Sequence, residues 1–361
     1  MLAERTGGNV APPPKRGRPT VAHVVCTQDF AGVERYVSTL SVALAGRGWD
    51  VVVLGGREES MRPALQEAGV RWIPAPTVAT AVLRLREQFP VDLVHAHMTQ
   101  AEVASVLASI GTRTPVICTR HFASDRGSST LRRKVSHLFA RRIAEQVSIS
   151  QFVAERIDGT STVIVPGVPS CETILDSSQR HSQVLMAQRL EEEKRADLGV
   201  SAWAASGLAE TGWSLLIAGD GSQRESLLRL AERLGVASSC HFLGFRPDVA
   251  DLMRQAGIFL APRPDEPLGL SVIEAMAAGT PVVAADGGGH RESLGLHPTA
   301  ALYPPGDTNA AGLLLRRLAL APHERDSYGA SLAEIQRAHL GIEVQLGRTV
   351  DLYRELLRRT R

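Results

Sequence analysis

An α/β fold made of two successive parallel-sheet halves is predicted for this 361-residue chain by three observations. Short runs rich in Val, Ile and Leu alternate with amphipathic stretches, the rhythm of βαβ units whose helices cover a parallel sheet. A turn at Pro166-Gly167-Val168-Pro169 and a polar stretch over 171–183 interrupt that rhythm, which then restarts. The length also exceeds one ordinary core, so two domains of roughly 150–200 residues are the natural division.

In the first half, 21–26 is a β-branched run, followed by a loop containing Gly32 and a helical stretch over 33–47. Strands are expected at 51–54, 93–95 and 116–119, with a helix over 101–109 between the last two. A basic helix follows over 130–144, then short strands at 147–149 and 163–165. In the second half, strands are expected at 184–187, 214–218, 240–243, 258–261 and 281–284. Helices are expected over 197–208, 223–234, 248–255 and 271–278. The last stretch, 342–359, is amphipathic, with Val344, Val350, Leu352, Leu356 and Leu357 as its buried face. The expected organisation is a basic, Pro-rich tail over 1–20, halves over 21–170 and 184–340, and a final helix over 341–361 able to cross back. Ligands of open parallel sheets bind beyond the carboxyl ends of the strands, so two facing sheets place the chemistry in a cleft between them.

Composition narrows the function. Forty Lys+Arg against 38 Asp+Glu leave a charge of +2, too balanced for a dedicated nucleic-acid binder, and 4% aromatic content offers few base-stacking platforms. Cys26, Cys118, Cys171 and Cys240 are far apart with no C-x-x-C pair, which reads as reduced thiols of a cytoplasmic protein. No run approaches a membrane span, and the first twenty residues have no apolar run and read as a disordered tail rather than a signal peptide.

The chemistry concentrates in 264–284, where a Pro/Gly loop opens a helix at Leu268, Gly269 and Leu270. Amides at such an entrance, with the positive end of the helix dipole, make an anion site. Glu266 and Glu274 bracket it and suit sugar hydroxyls as acceptors. Two plainer readings stand beside this one. Ser271-x-x-Glu274 matches a capping box, which would tie Glu274 to the Ser271 backbone, and Glu266 alone would pass as a solvated loop carboxylate.

This segment resembles the E-x7-E signature of retaining nucleotide-sugar glycosyltransferases of the GT-B fold, family 4, and the likeness covers nearly the whole chain after the tail. Ala31-Gly32-Val33-Glu34 is similar to the family's Gly-Gly-x-Glu loop, and Val165-Pro166-Gly167-Val168 to its N-G-V turn. Ala187-Gln188-Arg189-Leu190 with Lys194 resembles G-R-L-x-x-x-K, and Ala218-Gly219-Asp220-Gly221 resembles the G-D-G loop. Departures are Ala31, Gln188, Pro267 and Leu268 at motif positions, the lack of a glycine after Lys194, and the irregular loop Gly287-Gly288-Gly289, after which Glu292 fills the usual glutamate place.

The resemblance implies two Rossmann-like domains whose parallel sheets face an interdomain cleft. It implies that Arg189 and Lys194 hold a donor diphosphate, that Glu274 binds ribose and Glu266 a sugar hydroxyl, and that the amides of Leu268, Gly269 and Leu270 meet the sugar or its phosphate. The backbone near Arg246 would read the base, and Gly32 would let its loop approach the phosphates closely. The plainer reading of Arg189 and Lys194 is a pair neutralised by 191–193. His121, after the strand at 116–119, matches a position near sugar and acceptor. His95-x-His97 has the spacing of a metal pair, but no third ligand is evident, so neither metal nor cofactor is expected beyond the nucleotide-diphosphate sugar itself.

The implied reaction is sugar transfer to the hydroxyl of a glycan, glycolipid or small-molecule acceptor, with the leaving charge stabilised electrostatically. An epimerase or phosphorylase on the same twin fold, or a silent nucleotide-sugar-binding partner protein, are the alternatives. The basic helix over 130–144 allows a peripheral contact with anionic membrane; a solvated basic face explains it equally well.

Overall fold

The computed structural model describes residues 17–126 and 138–360. Seven strands, β1 (Thr20–Val25), β2 (Asp50–Leu54), β3 (Arg71–Ile73), β4 (Leu93–His97), β5 (Val116–Arg120), β6 (Ile143–Ser148) and β7 (Thr162–Val163), form one parallel sheet in the order 3-2-1-4-5-6-7. Six more, β8 (His181–Ala187), β9 (Ser214–Ala218), β10 (Cys240–Gly244), β11 (Ala256–Ala261), β12 (Val282–Ala285) and β13 (Leu302–Tyr303), form a second in the order 10-9-8-11-12-13. Each sheet therefore reverses its strand order once, between β1 and β4 and between β8 and β11. Such switch points leave a crevice at the carboxyl ends of the strands, where loops diverge to opposite faces.

Burial on both faces explains the strand composition. All six residues of β11, Ala-Gly-Ile-Phe-Leu-Ala, are buried, the pattern of a strand covered above and below. The helix Gly32–Gly46 buries Tyr36, Val37, Leu40 and Leu44 at helical spacing against the first sheet. The C-terminal helix Ile342–Thr360 lies on that same face, with Leu346, Val350, Tyr353 and Leu356 in its core. Of the face expected from sequence, Val350 and Leu356 are buried, while Val344, Leu352 and Leu357 are only half-buried. Polar Gln345 and Thr349 take the inner positions instead.

The chain passes between the halves twice, side by side. The Val168 amide donates to the Leu340 carbonyl and the Ile342 amide to the Val168 carbonyl, both at 3.1 Å. A Cβ at Gly167 would stand 2.3 Å from the Gly341 carbonyl oxygen, so these passages run too close for a side chain there.

Some expectations shift. The polar linker ends sooner than 183, because β8 begins at His181. Arg180 anchors that point, its buried guanidinium donating to the carbonyls of Leu175, Arg254, Ala256 and Ala278. The basic helix expected over 130–144 falls largely outside the described residues. Its described end is helical over 138–140, but Ile143 and Ala144 belong to β6. Helices Glu58–Glu67, Thr308–Leu320 and Pro322–His339 carry no assignment from sequence. The first contains Pro63 and buries only Met61 and Leu65, a faint apolar stripe.

Candidate active site

A cleft of about 710 Å³ opens where the two crevices face each other. Asp29, Phe30, Ala31, Gly32, Arg35 and Arg57 line it from the first half. The second half contributes Arg189, Lys194, Asp220, Phe245, Arg246, Arg263, Glu266, Leu270, Glu274 and His290, among others. The loops after β1, β8 and β11 supply most of this lining, as the switch points require. Gly32, Arg189, Lys194, Arg246, Glu266, Leu270 and Glu274 thus come together as expected from sequence. Leu268, Gly269 and His121 are not part of the lining; Leu268 and His121 are buried. Six Arg and Lys side chains face four carboxylates around the cleft, an excess suited to a polyanion.

Lys194 and Glu266 are in direct contact. The ammonium is 2.9 and 2.8 Å from the two carboxylate oxygens, and both side chains are more than four-fifths buried. Arg263 approaches the same carboxylate at 3.6 Å. The Gly289 amide donates to the Glu266 carbonyl at 2.8 Å. The glycine run makes that approach possible: Cβ atoms at Gly288 and Gly289 would fall 2.4 Å from the Glu266 carbonyl oxygen and 2.3 Å from Leu268 Cα. The irregular triple glycine is therefore the bed of the glutamate loop.

The helix Leu270–Ala277 starts one residue before Ser271, with Gly269 as N-cap at φ 85°. Ser271 consequently lies inside the helix, and the capping-box reading of Ser271 and Glu274 does not hold. Glu274 instead reaches across the cleft, accepting from the Arg35 guanidinium at 2.8 Å. In the first half a different glutamate ties its own helix start. Glu34, 2% exposed, accepts from the Ala31 amide at 2.9 Å and the Thr27 hydroxyl at 2.7 Å, fixing the loop that carries Gly32.

Arg189 pairs at 2.8 Å with Glu193, both largely exposed, while Arg246 is held by Asp248 at 2.7 Å. His290 packs its ring under Gly269, with Nδ1 3.1 Å from the Ala285 carbonyl; burial lowers its pKa, so it is neutral at neutral pH. Two further contacts join the halves beside the cleft. Ser150 donates to the Pro267 carbonyl at 2.6 Å, and Glu292 accepts from the Gln151 and Phe152 amides at 2.6 and 2.7 Å. Arg35, Arg57, Ser150 and His290 were not singled out from sequence; Arg35 and Ser150 lie more than a hundred residues from Glu274 and Pro267, the residues they meet.

The His95-x-His97 pair gains a third imidazole from β1. Ligand atoms of His23, His95 and His97 lie within 4.8 Å of one another, all buried. The third imidazole was invisible in sequence because β1 and β4 become neighbours only through the strand order. Both ring nitrogens of His95 are taken by hydrogen bonds, to the Tyr353 hydroxyl at 2.5 Å and the Thr119 hydroxyl at 2.6 Å, and His97 Nε2 meets His23 Nδ1 at 3.0 Å, so hydrogen bonds tie the cluster together without an ion.

Comparison with known proteins agrees with this architecture. Residues 174–331 match the family described as glycosyl transferases group 1, and residues 31–163 match the glycosyl transferase 4-like domain. Glycogen synthase of Mycobacterium tuberculosis is 28% identical over 318 residues, covering 73% of this chain and 77% of its own. Phosphatidyl-myo-inositol mannosyltransferase of Mycobacterium leprae is 27% identical over 348 residues, covering 88% and 92%. The structure of Anabaena Alr3699/HepE with UDP and glucose superposes with a TM-score of 0.76 at 20% identity, over 94% of this chain and all (100%) of that one. With two parallel α/β domains around a shared cleft and both halves matched in order, the chain belongs to the glycosyltransferases of group 1, family 4, with the GT-B fold.

Proposed function

We propose that this glycosyltransferase moves a sugar from a nucleoside-diphosphate sugar to an acceptor hydroxyl, with retention at the anomeric carbon and without a metal ion. The observation that carries this reading is the convergence of Glu266, Glu274, Arg189 and Lys194 on one cleft. Glu274 binds the ribose hydroxyls and Glu266 a hydroxyl of the donor sugar. Arg189 and Lys194 take the diphosphate, and the backbone at Arg246 reads the base beside the exposed ring of Phe245.

Breaking the anomeric C–O bond places negative charge on the departing diphosphate, where fixed cations act most strongly. Lys194 is held ready by Glu266, which orients it at the sugar end. Arg189, exposed and paired only on the surface, is free to swing. The departing diphosphate takes the proton of the acceptor hydroxyl as the new glycosidic bond forms. The carboxylates bind hydroxyls rather than flank the scissile bond as a hydrolase pair would. The contacts of Ser150 and Glu292 join the halves beside the cleft, and closure of the halves over a bound donor would exclude water, favouring transfer over hydrolysis. The two sequence relatives are named for glycogen and for phosphatidyl-myo-inositol, and the acceptor here is a glycan, glycolipid or small molecule. A peripheral membrane contact near 130–144 is part of the proposal; Leu138, 64% exposed at the described end of that stretch, supports it.

A panel of nucleotide sugars screened by thermal shift, followed by product analysis with candidate acceptors, tests the reading. A donor that stabilises the protein through Glu274 and Arg189 and yields an α-configured product from an α-donor is the expected outcome. Epimerised donor or free sugar phosphate in place of a glycoside would refute it.

A further inference from the structure

Four imidazoles lie buried on one face of the seven-stranded sheet, behind the cleft. They belong to His23 on β1, His95 and His97 on β4, and His121 just past β5. Strand register explains the row. His23 stands opposite His95, and His97 opposite Thr119. Side chains two apart share a face, so His121, two past Thr119, carries the row toward the carboxyl ends of the strands. Tyr36 covers it from the helix Gly32–Gly46, its ring edge-on to His121 at 4.9 Å between centroids. Tyr353 covers it from the C-terminal helix, its hydroxyl 2.5 Å from His95 Nδ1.

Three of the four form a chain. His121 Nε2 is 3.2 Å from His97 Nδ1, and His97 Nε2 is 3.0 Å from His23 Nδ1. Burial keeps all three neutral: His23 and His121 are pushed down to about 3, and His97 well below its ordinary value. A neutral imidazole has one N–H and one lone pair. Two hydrogen bonds in series therefore allow only two proton arrangements, every N–H directed from His23 toward His121 or every N–H directed back.

The interior end decides between them. His23 Nε2 is buried and, among the described residues, has no hydrogen-bond partner. The outward arrangement leaves a bare lone pair there; the inward one leaves a bare N–H. Among buried backbone groups an orphaned N–H is rarer than an under-satisfied carbonyl, and the same preference applied to the ring disfavours the bare Nε2–H. We infer that the chain runs outward, so that His23 and His97 fix His121 as its Nδ1–H tautomer. His121 lies behind the present lining of the cleft; once a donor sugar seats at that end of the row, its Nδ1–H would meet a sugar or phosphate oxygen as a hydrogen-bond donor, not as a base. His23 and His97 act through His121 and are positioning residues.

The substrate half of this inference rests on the glycosyltransferase reading above; the tautomer does not. Two-bond nitrogen–proton correlation spectra of the full chain, labelled at histidine and recorded without substrate near neutral pH, read the tautomer directly. The expected spectrum has His121 protonated at Nδ1 and bare at Nε2, with His97 and His23 likewise protonated at Nδ1. A His121 protonated at Nε2 overturns the inference. A second measurement uses His23→Phe, which keeps an apolar ring in place but removes the donor that starts the chain. His121 is then expected to become a mixture of tautomers. The kcat should fall on the order of tenfold, less than the ~10²–10³ seen when a transition-state donor is deleted outright, with donor KM nearly unchanged. An unaltered His121 signal in this variant also overturns the inference. If the variant does not fold, the wild-type spectrum still decides. An Nδ1–H tautomer in a protein that makes no glycoside refutes the transferase reading and leaves the histidine chain standing.

Discussion

Arg35 and Glu274 meet across the cleft at 2.8 Å, one from the first helix of the chain and the other from the helix of the glutamate motif. The arginine side chain is half exposed and the glutamate 22% exposed, so the pair is screened by solvent and contributes at most about 1 kcal/mol to holding the halves together. Its position matters more than its strength. Glu274 is the carboxylate assigned to the ribose, so an incoming nucleotide must share it with Arg35 or displace Arg35 toward the phosphates.

Glu274→Ala is therefore expected to leave the melting temperature within a few degrees of wild type but to weaken nucleoside-diphosphate binding roughly tenfold or more. That is the value of hydrogen bonds to a charged acceptor, about 1.5–3 kcal/mol. Isothermal titration of the variant checks it. Unchanged affinity would remove the ribose assignment.

Lys194 and Glu266 should behave as a unit. Lys194→Ala removes a cation facing the leaving group, and kcat is expected to fall by about 10²–10³. Glu266→Ala frees Lys194 from its anchor and loses a sugar contact, a comparable fall. The double variant should be little worse than either single one, because residues in direct contact do not add. Steady-state rates of the three variants form the test. Strict additivity would mean the 2.8 Å contact has no part in turnover.

How far the sequence reaches is visible in these pairs. Glu266, Glu274, Arg189 and Lys194 could be singled out because each sits in a local pattern of loop, helix start and strand end. The pairings of Glu266 and Glu274 could not. Arg35 lies 239 residues from Glu274, and Lys194 lies 72 from Glu266. Which side chains meet depends on how two sheets are set against each other, and no local periodicity carries that information. The capping-box reading of Glu274 failed for a related reason: Gly269, at positive φ, starts the helix one residue early and carries Ser271 inside it. Strands buried on both faces, such as β9 at Ser214–Ala218, were legible to the residue. Helices with thin apolar stripes, such as Glu58–Glu67, were not.

Gly32 separates ligand space from protein packing. A Cβ there would meet only Leu270 Cδ1 at 3.8 Å, an ordinary contact, and its φ does not demand glycine. Gly32→Ala should therefore fold with unaltered or slightly raised stability, since a helix start loses nothing by gaining a methyl group. If donor phosphates approach this backbone, the same variant should raise donor KM several-fold. Gly219→Ala is the control of opposite sign: its Cβ would sit 1.8 Å from the Gln188 carbonyl oxygen, so folding itself should suffer. A Gly32→Ala enzyme with wild-type kinetics would place the phosphates elsewhere.

The buried histidines give the fold an acid limit. In the folded protein His23 and His121 are pushed down to about 3 and His95 and His97 well below their ordinary value of 6.5, chiefly because burial disfavours the charged ring. Above pH ~6.5 these rings are neutral whether the chain is folded or not, and they contribute no pH dependence. Below it the unfolded chain binds protons that the folded one refuses, so stability falls as pH falls. Each ring contributes a slope approaching about 1.4 kcal/mol per pH unit. Urea unfolding between pH 7 and 5 should accordingly show a loss of several kcal/mol, roughly 2 per histidine by the lower end if all four stay neutral until unfolding. His95→Asn or His97→Asn, where it folds, should flatten the profile by about one ring's share, because a group that cannot titrate adds no slope. A stability profile that is level across this range would show that the four rings are either protonated in place or reached by water, and would remove the dry histidine row from the structure.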